Sequence, residues 1–216
     1  MKYRLTLAAL VVLLALTACG EPGPKNRGVY MLIDTSGTYT QELKKAQQII
    51  SAVLARLNPG DSFAVARIDT GSFSEKDIVA KITFDERPSV ANQQKRDFVK
   101  KIKRFVKKVR PAAYTDITGG ILQASEYLNE KDPGSKVILV FSDLKEDLKK
   151  GYIRNFPLAL DRVEIVALNV TKLRSDNVDP REYMKRLAAW QERVVRSGGA
   201  WRVINDLDRL NRIIHG

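Results

Sequence analysis

Val29-Tyr30-Met31-Leu32-Ile33-Asp34-Thr35-Ser36-Gly37-Thr38 is the stretch that decides how the 216-residue chain folds. Five apolar residues in succession, with no polar alternation, predict a strand covered on both faces, as in the middle of a parallel sheet. A loop crowded with oxygen-bearing side chains follows at once. Gly37 gives that loop the freedom to turn tightly, so that hydroxyls two and four residues after Asp34 can face the same way.

The same grammar continues outward from this strand. Gln41 to Leu57 carries Leu43, Ala46, Ile50, Val53, Leu54 and Leu57 on one helical stripe, and Asn58-Pro59-Gly60 stops it. Ser62 to Asp69 and Ile78 to Phe84 read as strands joined through a Gly- and Ser-containing turn, an edge hairpin. Gln93 to Val109 and Ile117 to Leu128 read as helices, Val137 to Phe141 and Val163 to Val170 as further buried strands. Arg181 to Arg196 places Tyr183, Leu187, Trp190 and Val194 at helical spacing. Ser197-Gly198-Gly199 breaks it before a last strand, Trp201 to Ile204, and a carboxy-terminal helix.

Strands alternating with amphipathic helices predict an α/β fold: a doubly wound, mostly parallel sheet with helices on both faces and one antiparallel edge strand. Such sheets bind ligands beyond the carboxyl ends of their strands, where the strand order reverses. Three segments occupy such ends. Asp34 to Thr38 follows the first strand, Thr115-Asp116 precedes the helix at Ile117, and Ser142-Asp143 follows the strand ending at Phe141. With the first and fourth strands as neighbours, these loops converge. They would gather the carboxylates of Asp34 and Asp143 with the hydroxyls of Ser36, Thr38 and Thr115. An all-oxygen set with two negative charges suits a hard dication that keeps some water, Mg²⁺ first and Mn²⁺ or Ca²⁺ as alternatives.

Asp34-x-Ser36-x-Thr38, then Thr115, then Asp143 resembles the metal-ion-dependent adhesion site of von Willebrand factor A (vWA) domains, over essentially all of residues 28 to 210. The resemblance implies a Rossmann-like sheet and a divalent cation at those five residues. It also implies a protein partner whose Glu or Asp fills the open coordination position, with Asp116 supporting the site from behind. Thr38 stands where that family usually has Ser, and its extra methyl crowds the site. A vWA fold that has lost its metal and serves as a structural lipoprotein is the neighbouring reading.

Ile33 to Thr38 also resembles the first motif of haloacid-dehalogenase-type phosphohydrolases, with Ser142-Asp143 and Asp147 resembling their acidic motif. That chemistry needs a second carboxylate two residues after the nucleophile. Ser36 holds the place and supplies no proton there. His215 is the only histidine, which leaves no Ser-His-Asp or histidine-metal site, and no phosphate-cradling Gly-rich loop occurs. The sequence reads as non-enzymatic.

Lys2, Arg4 and the apolar run Leu5 to Leu16 have the layout of a secretory signal peptide, too short to span a bilayer of ~30 Å as a helix. Leu16-Thr17-Ala18-Cys19 resembles the lipobox of bacterial lipoproteins. This gives a leader at 1–18, a lipid-bearing Cys19 (palmitate among the expected acyl groups) with a short linker at 19–27, and one domain at 28–216. Gly20 rather than Asp after the cysteine leans toward the outer membrane, with the domain facing the periplasm or the exterior. Cys19 is the only cysteine, so no internal disulfide forms.

Lys and Arg number 37 against 25 Asp and Glu, a formal charge of +12 that falls to +10 once Lys2 and Arg4 leave with the leader. Lys100, Lys101, Lys103, Arg104, Lys107 and Lys108 crowd one helix, a surface able to meet anionic headgroups. Charge alone would also fit nucleic acid, but an export leader and the lack of a stacking-aromatic motif argue against it.

Overall fold

The computed structural model describes residues 26–37 and 39–205. The expected leader, Cys19, Thr38 and the expected carboxy-terminal helix lie outside the described residues.

Six strands form one sheet: β1 (Arg27–Asp34), β2 (Ser62–Ile68), β3 (Ile78–Thr83), β4 (Ser135–Phe141), β5 (Val163–Leu168) and β6 (Ala200–Ile204). Their spatial order is β3-β2-β1-β4-β5-β6. All neighbours run parallel except the edge pair β2 and β3. From β1 the chain first builds outward through β2 and β3, then crosses back to lay β4, β5 and β6 on the other side. The order therefore reverses at the β1/β4 boundary, where a ligand crevice is expected.

Alternation along β1 decides which helix packs where. Val29, Met31 and Ile33 join the core shared with α1 (Leu43–Arg56) and α2 (Pro88–Lys108). Tyr30 and Leu32 face the opposite core, shared with α3 (Ile117–Lys131) and α5 (Pro180–Arg196). All five are 4% exposed or less. Burying a side chain of this size contributes about 1.5–3 kcal/mol, and slipping the register by one residue would exchange the two sets. Gly28 lets α3 and the turn after it close over the start of β1. A Cβ there would lie 2.5 Å from Pro133 Cγ and 2.8 Å from Leu128 Cδ2.

Four departures from the sequence reading stand out among shifts of a few residues at element ends. β1 takes in Arg27, left to the linker above, because its N–H bonds Asp61 Oδ1 at 2.7 Å. α2 opens at Pro88 rather than Gln93, since a proline in the first helical turn lacks only an N–H that would have had no helical partner. β5 ends at Leu168 because Asn169 turns into the left-handed region, φ 53°, which an asparagine tolerates. A five-residue helix, α4 (Arg174–Val178), was not expected. Among the described residues no helix is long and apolar enough to cross a membrane.

Candidate metal-binding site

Asp34 closes β1 and is fully buried. Its Oδ1 accepts the N–H of Ser36 at 2.8 Å, which curls the following loop back on the strand end. Its Oδ2 accepts the hydroxyl of Ser142 at 2.6 Å. Ser142 follows β4, whose Phe141 pairs in register with Ile33, so this bond bridges the point where the strand order reverses. Asp143 comes next and is 5% exposed. Leu144 adopts φ 64°, and the turn it makes returns the N–H of Lys145 to Asp143 Oδ1 at 2.8 Å. Trp190 of α5 holds that turn from below, its indole N–H donating to the Leu144 carbonyl at 3.0 Å.

The third loop is tied to both. Ala112 donates to the Thr35 carbonyl at 2.8 Å, and Thr115 exchanges two main-chain bonds with Asp147, at 2.7 and 2.9 Å. Asp34, Ser36, Thr115 and Asp143 thus sit on three loops stitched to one another at the carboxyl end of the sheet. Asp116 follows and starts α3. Its Oδ1 accepts the N–H of Gly119 at 2.8 Å, the bond expected of a helix cap. A side chain at position 119 would collide with that carboxylate, a Cβ lying 2.5 Å from Oδ2. Asp116 also accepts Ser72 N–H at 3.1 Å and the Arg154 guanidinium at 2.7 Å. It is the buried post on which the Thr115 loop rests.

What these groups already hold decides what else they can hold. Among the described residues neither Asp34 nor Asp143 forms an ion pair, and the hydroxyls of Ser36 and Thr115 make no hydrogen bond. Asp143 Oδ2 is likewise without a hydrogen-bond donor. Burial pushes the Asp143 carboxyl above its ordinary range, and the nearby charge of Asp34 adds to the rise against the Lys145 N–H bond. The Arg186 guanidinium donates to the Asp143 main-chain carbonyl at 3.0 Å and pairs with Asp176 at 2.7 Å, so that its charge, like that of Lys145, offsets the rise only in part. Two buried carboxylates at adjacent strand ends, with hydroxyls to spare and no ion pair among the described residues, make a donor set that fits a hard divalent ion. Clusters of three or more His, Cys, Asp or Glu able to hold a metal do not occur among the described residues, so hydroxyls must complete any such site.

Sequence reading missed several supporting groups. Ser142 was seen only as the residue before Asp143, yet it carries the bond joining the two strand ends. Arg186, Trp190 and Arg154 come from distant elements, and nothing in their spacing connects them to the site. Of the basic residues named on α2, Lys100 pairs with Asp97 at 2.9 Å. Lys101, Lys103, Arg104, Lys107 and Lys108 are exposed and make no ion pair among the described residues.

Similarities to known proteins agree with this architecture. The fold resembles a von Willebrand factor type A protein from Catenulispora acidiphila, with 15% identity and a TM-score of 0.50 over 88% of this chain. It also resembles the pilus adhesin SpaC from Lactobacillus rhamnosus GG, with 11% identity and a TM-score of 0.52 over 88% of this chain. The chain spans only 41% and 30% of those two proteins' chains. No curated protein matches it. Residues 28–208, most of the chain, match the von Willebrand factor type A domain, and the protein belongs to that family.

Proposed function

We propose that this chain is a membrane-anchored binding module that holds a divalent cation at Asp34, Ser36, Thr38, Thr115 and Asp143 and captures a partner protein through an acidic residue. The observation that carries this reading is the pair of buried carboxylates at neighbouring strand ends, Asp34 tied to Ser142 and neither in an ion pair among the described residues, with two hydroxyls on the same loops that make no hydrogen bond among them. The ion, Mg²⁺ or Mn²⁺ before Ca²⁺, would supply a positive charge with a free coordination position for an oxygen ligand. The chain's own part is to fix the donors on rigid strand ends and to keep competing cations off them. Arg186 is a case in point, locked on Asp176, whose carboxyl its hydrogen bonds hold below the usual range.

In purified protein, millimolar Mg²⁺ or Mn²⁺ is expected to raise the melting temperature, and Asp34→Ala to remove the rise. At a hundred times the dissociation constant the gain is about 2.7 kcal/mol, or roughly 5–11 °C for a domain of this size. No metal-dependent shift would leave a vWA domain without its ion. Turnover of a generic phosphate ester with Mg²⁺ would instead return the phosphohydrolase reading.

Anchoring through Cys19 completes the proposal and places the domain on the periplasmic or outer face of a bacterial membrane, with the outer membrane preferred. Cys19→Ser is expected to move the protein into the soluble fraction on cell fractionation. Retention of that variant in membranes would remove the lipid anchor from the account.

A further inference from the structure

A second concavity opens at the same end of the sheet as the candidate metal site. β3 runs antiparallel to β2, so Ile78 at its start lies beside Ala66, near the end where β2 finishes. The last turns of α2 flank that edge and, with it, bound a cavity of about 600 Å³. Its floor is apolar and half-buried: Ile78, Val79, Phe105 and Val109. Its rim is cationic. Lys101, Arg104, Lys108 and Arg110 are all exposed, and none pairs with a described residue.

One buried acid sits in the wall. The Asp77 side chain is fully buried; Oδ1 accepts Arg67 Nε at 3.1 Å, while Oδ2 is buried without a hydrogen-bond partner. Arg67 is shared between Asp77 and Asp69, so the four rim cations and Lys76, which also lines the cavity, are the charges left over. The groove and the metal-site loops lie at the same end of the sheet. Arg110 stands two residues before Ala112, which is bonded to Thr35, and β3 lies two strand spacings from β1, about 10 Å.

We propose that this groove takes the continuation of the partner's acidic segment, so that the partner is recognised by a run of acidic residues interleaved with apolar ones rather than by a single carboxylate. The inference rests on the metal-site reading above. A segment in the polyproline II form advances about 9 Å in three residues and returns every third side chain to the same face. A segment whose first acid meets the ion therefore brings the acid three positions on to the basic rim. An apolar side chain between them meets the floor. Complementary charge of this kind sets specificity and capture rate.

The test uses the full chain in Mg²⁺ and a fluorescent peptide with glutamate at every third position and leucine and serine between. A peptide with glutamine for glutamate and vesicles of phosphatidylglycerol are run in parallel. Wild type is expected to bind the acidic peptide and not the glutamine one. The combined variant Lys101→Glu, Arg104→Glu, Lys108→Glu is expected to weaken binding about tenfold or more while its Mg²⁺-induced melting shift stays as in wild type. These three side chains are exposed, and an unchanged metal-free melting temperature confirms that the variant folds. Equal peptide affinity in the variant overturns the proposal, as does failure of wild type to bind the peptide. Binding to vesicles alone, lost in the variant, overturns it in favour of a lipid surface. A missing Mg²⁺ shift with the peptide effect intact would defeat the metal reading and leave the groove standing.

Discussion

Asp116→Ala is expected to cost about 3–5 kcal/mol, as loss of one partner from a buried ion pair generally does, and to lower the melting temperature by roughly 6–20 °C. Asp116 is 1% exposed and serves four donors at once. Gly119 N–H, Ser72 N–H and two nitrogens of Arg154 all end on its carboxylate. Removing it strips the cap from α3 and leaves the Arg154 guanidinium, itself only 15% exposed, without its counter-charge. Asp116→Asn keeps an acceptor for Gly119 and should fall between wild type and alanine. The contrast is Asp97→Ala, where an exposed pair with Lys100 is lost and solvent screening leaves little change to measure. Urea denaturation with a common slope measures all three. An alanine variant within 1 kcal/mol of wild type, roughly the error of such a comparison, would mean that Asp116 supports nothing.

That expectation also marks where sequence stopped being informative. The uninterrupted runs at 29–33 and 137–141 could be read as central strands because burial on both faces leaves no room for polar residues, and 163–170 could be read as a further buried strand despite Glu164. Asp34, Ser36 and Asp143 could be picked out because they follow those strands, and Thr115 because it precedes the helix at Ile117. Their neighbourhood was legible too, since adjacency of β1 and β4 follows from the topology. What could not be read was which oxygen each group spends on its surroundings. Asp116 was assigned to the site's support with no sign that Arg154, 38 residues away, would clamp it. Pro88 began a helix that apolar periodicity alone placed five residues later, because the first turn of α2 buries only Ala91 and offers little pattern to count. The groove beside α2 was invisible for a different reason. Its basic rim reads in sequence as an ordinary solvated helix face, and only the antiparallel β3 sets that face against an apolar floor at the ligand-binding end.

Asp143→Asn separates stability from metal capture at that same end. In the metal-free protein Asp143 is a buried carboxylate beside a second one, unpaired by any lysine or arginine among the described residues, and folding works against its charge. An amide has nearly the same shape and still offers an oxygen to Lys145 N–H, but carries no charge. Replacing an incompletely compensated buried charge is expected to raise metal-free stability by about 1–2 kcal/mol, or roughly 2–8 °C. Adding Mg²⁺ should reverse the ranking. Wild type gains about 2.7 kcal/mol at a hundred times its dissociation constant, while the variant, left with one carboxylate, gains little. Melting curves of the two proteins, run in chelator and then in millimolar Mg²⁺, are therefore expected to cross. The crossing distinguishes a ligand from a structural residue, since a residue needed only for folding lowers both curves when it is changed. If Asp143→Asn melts below wild type in chelator and gains as much from Mg²⁺, Asp143 is not where the ion is held.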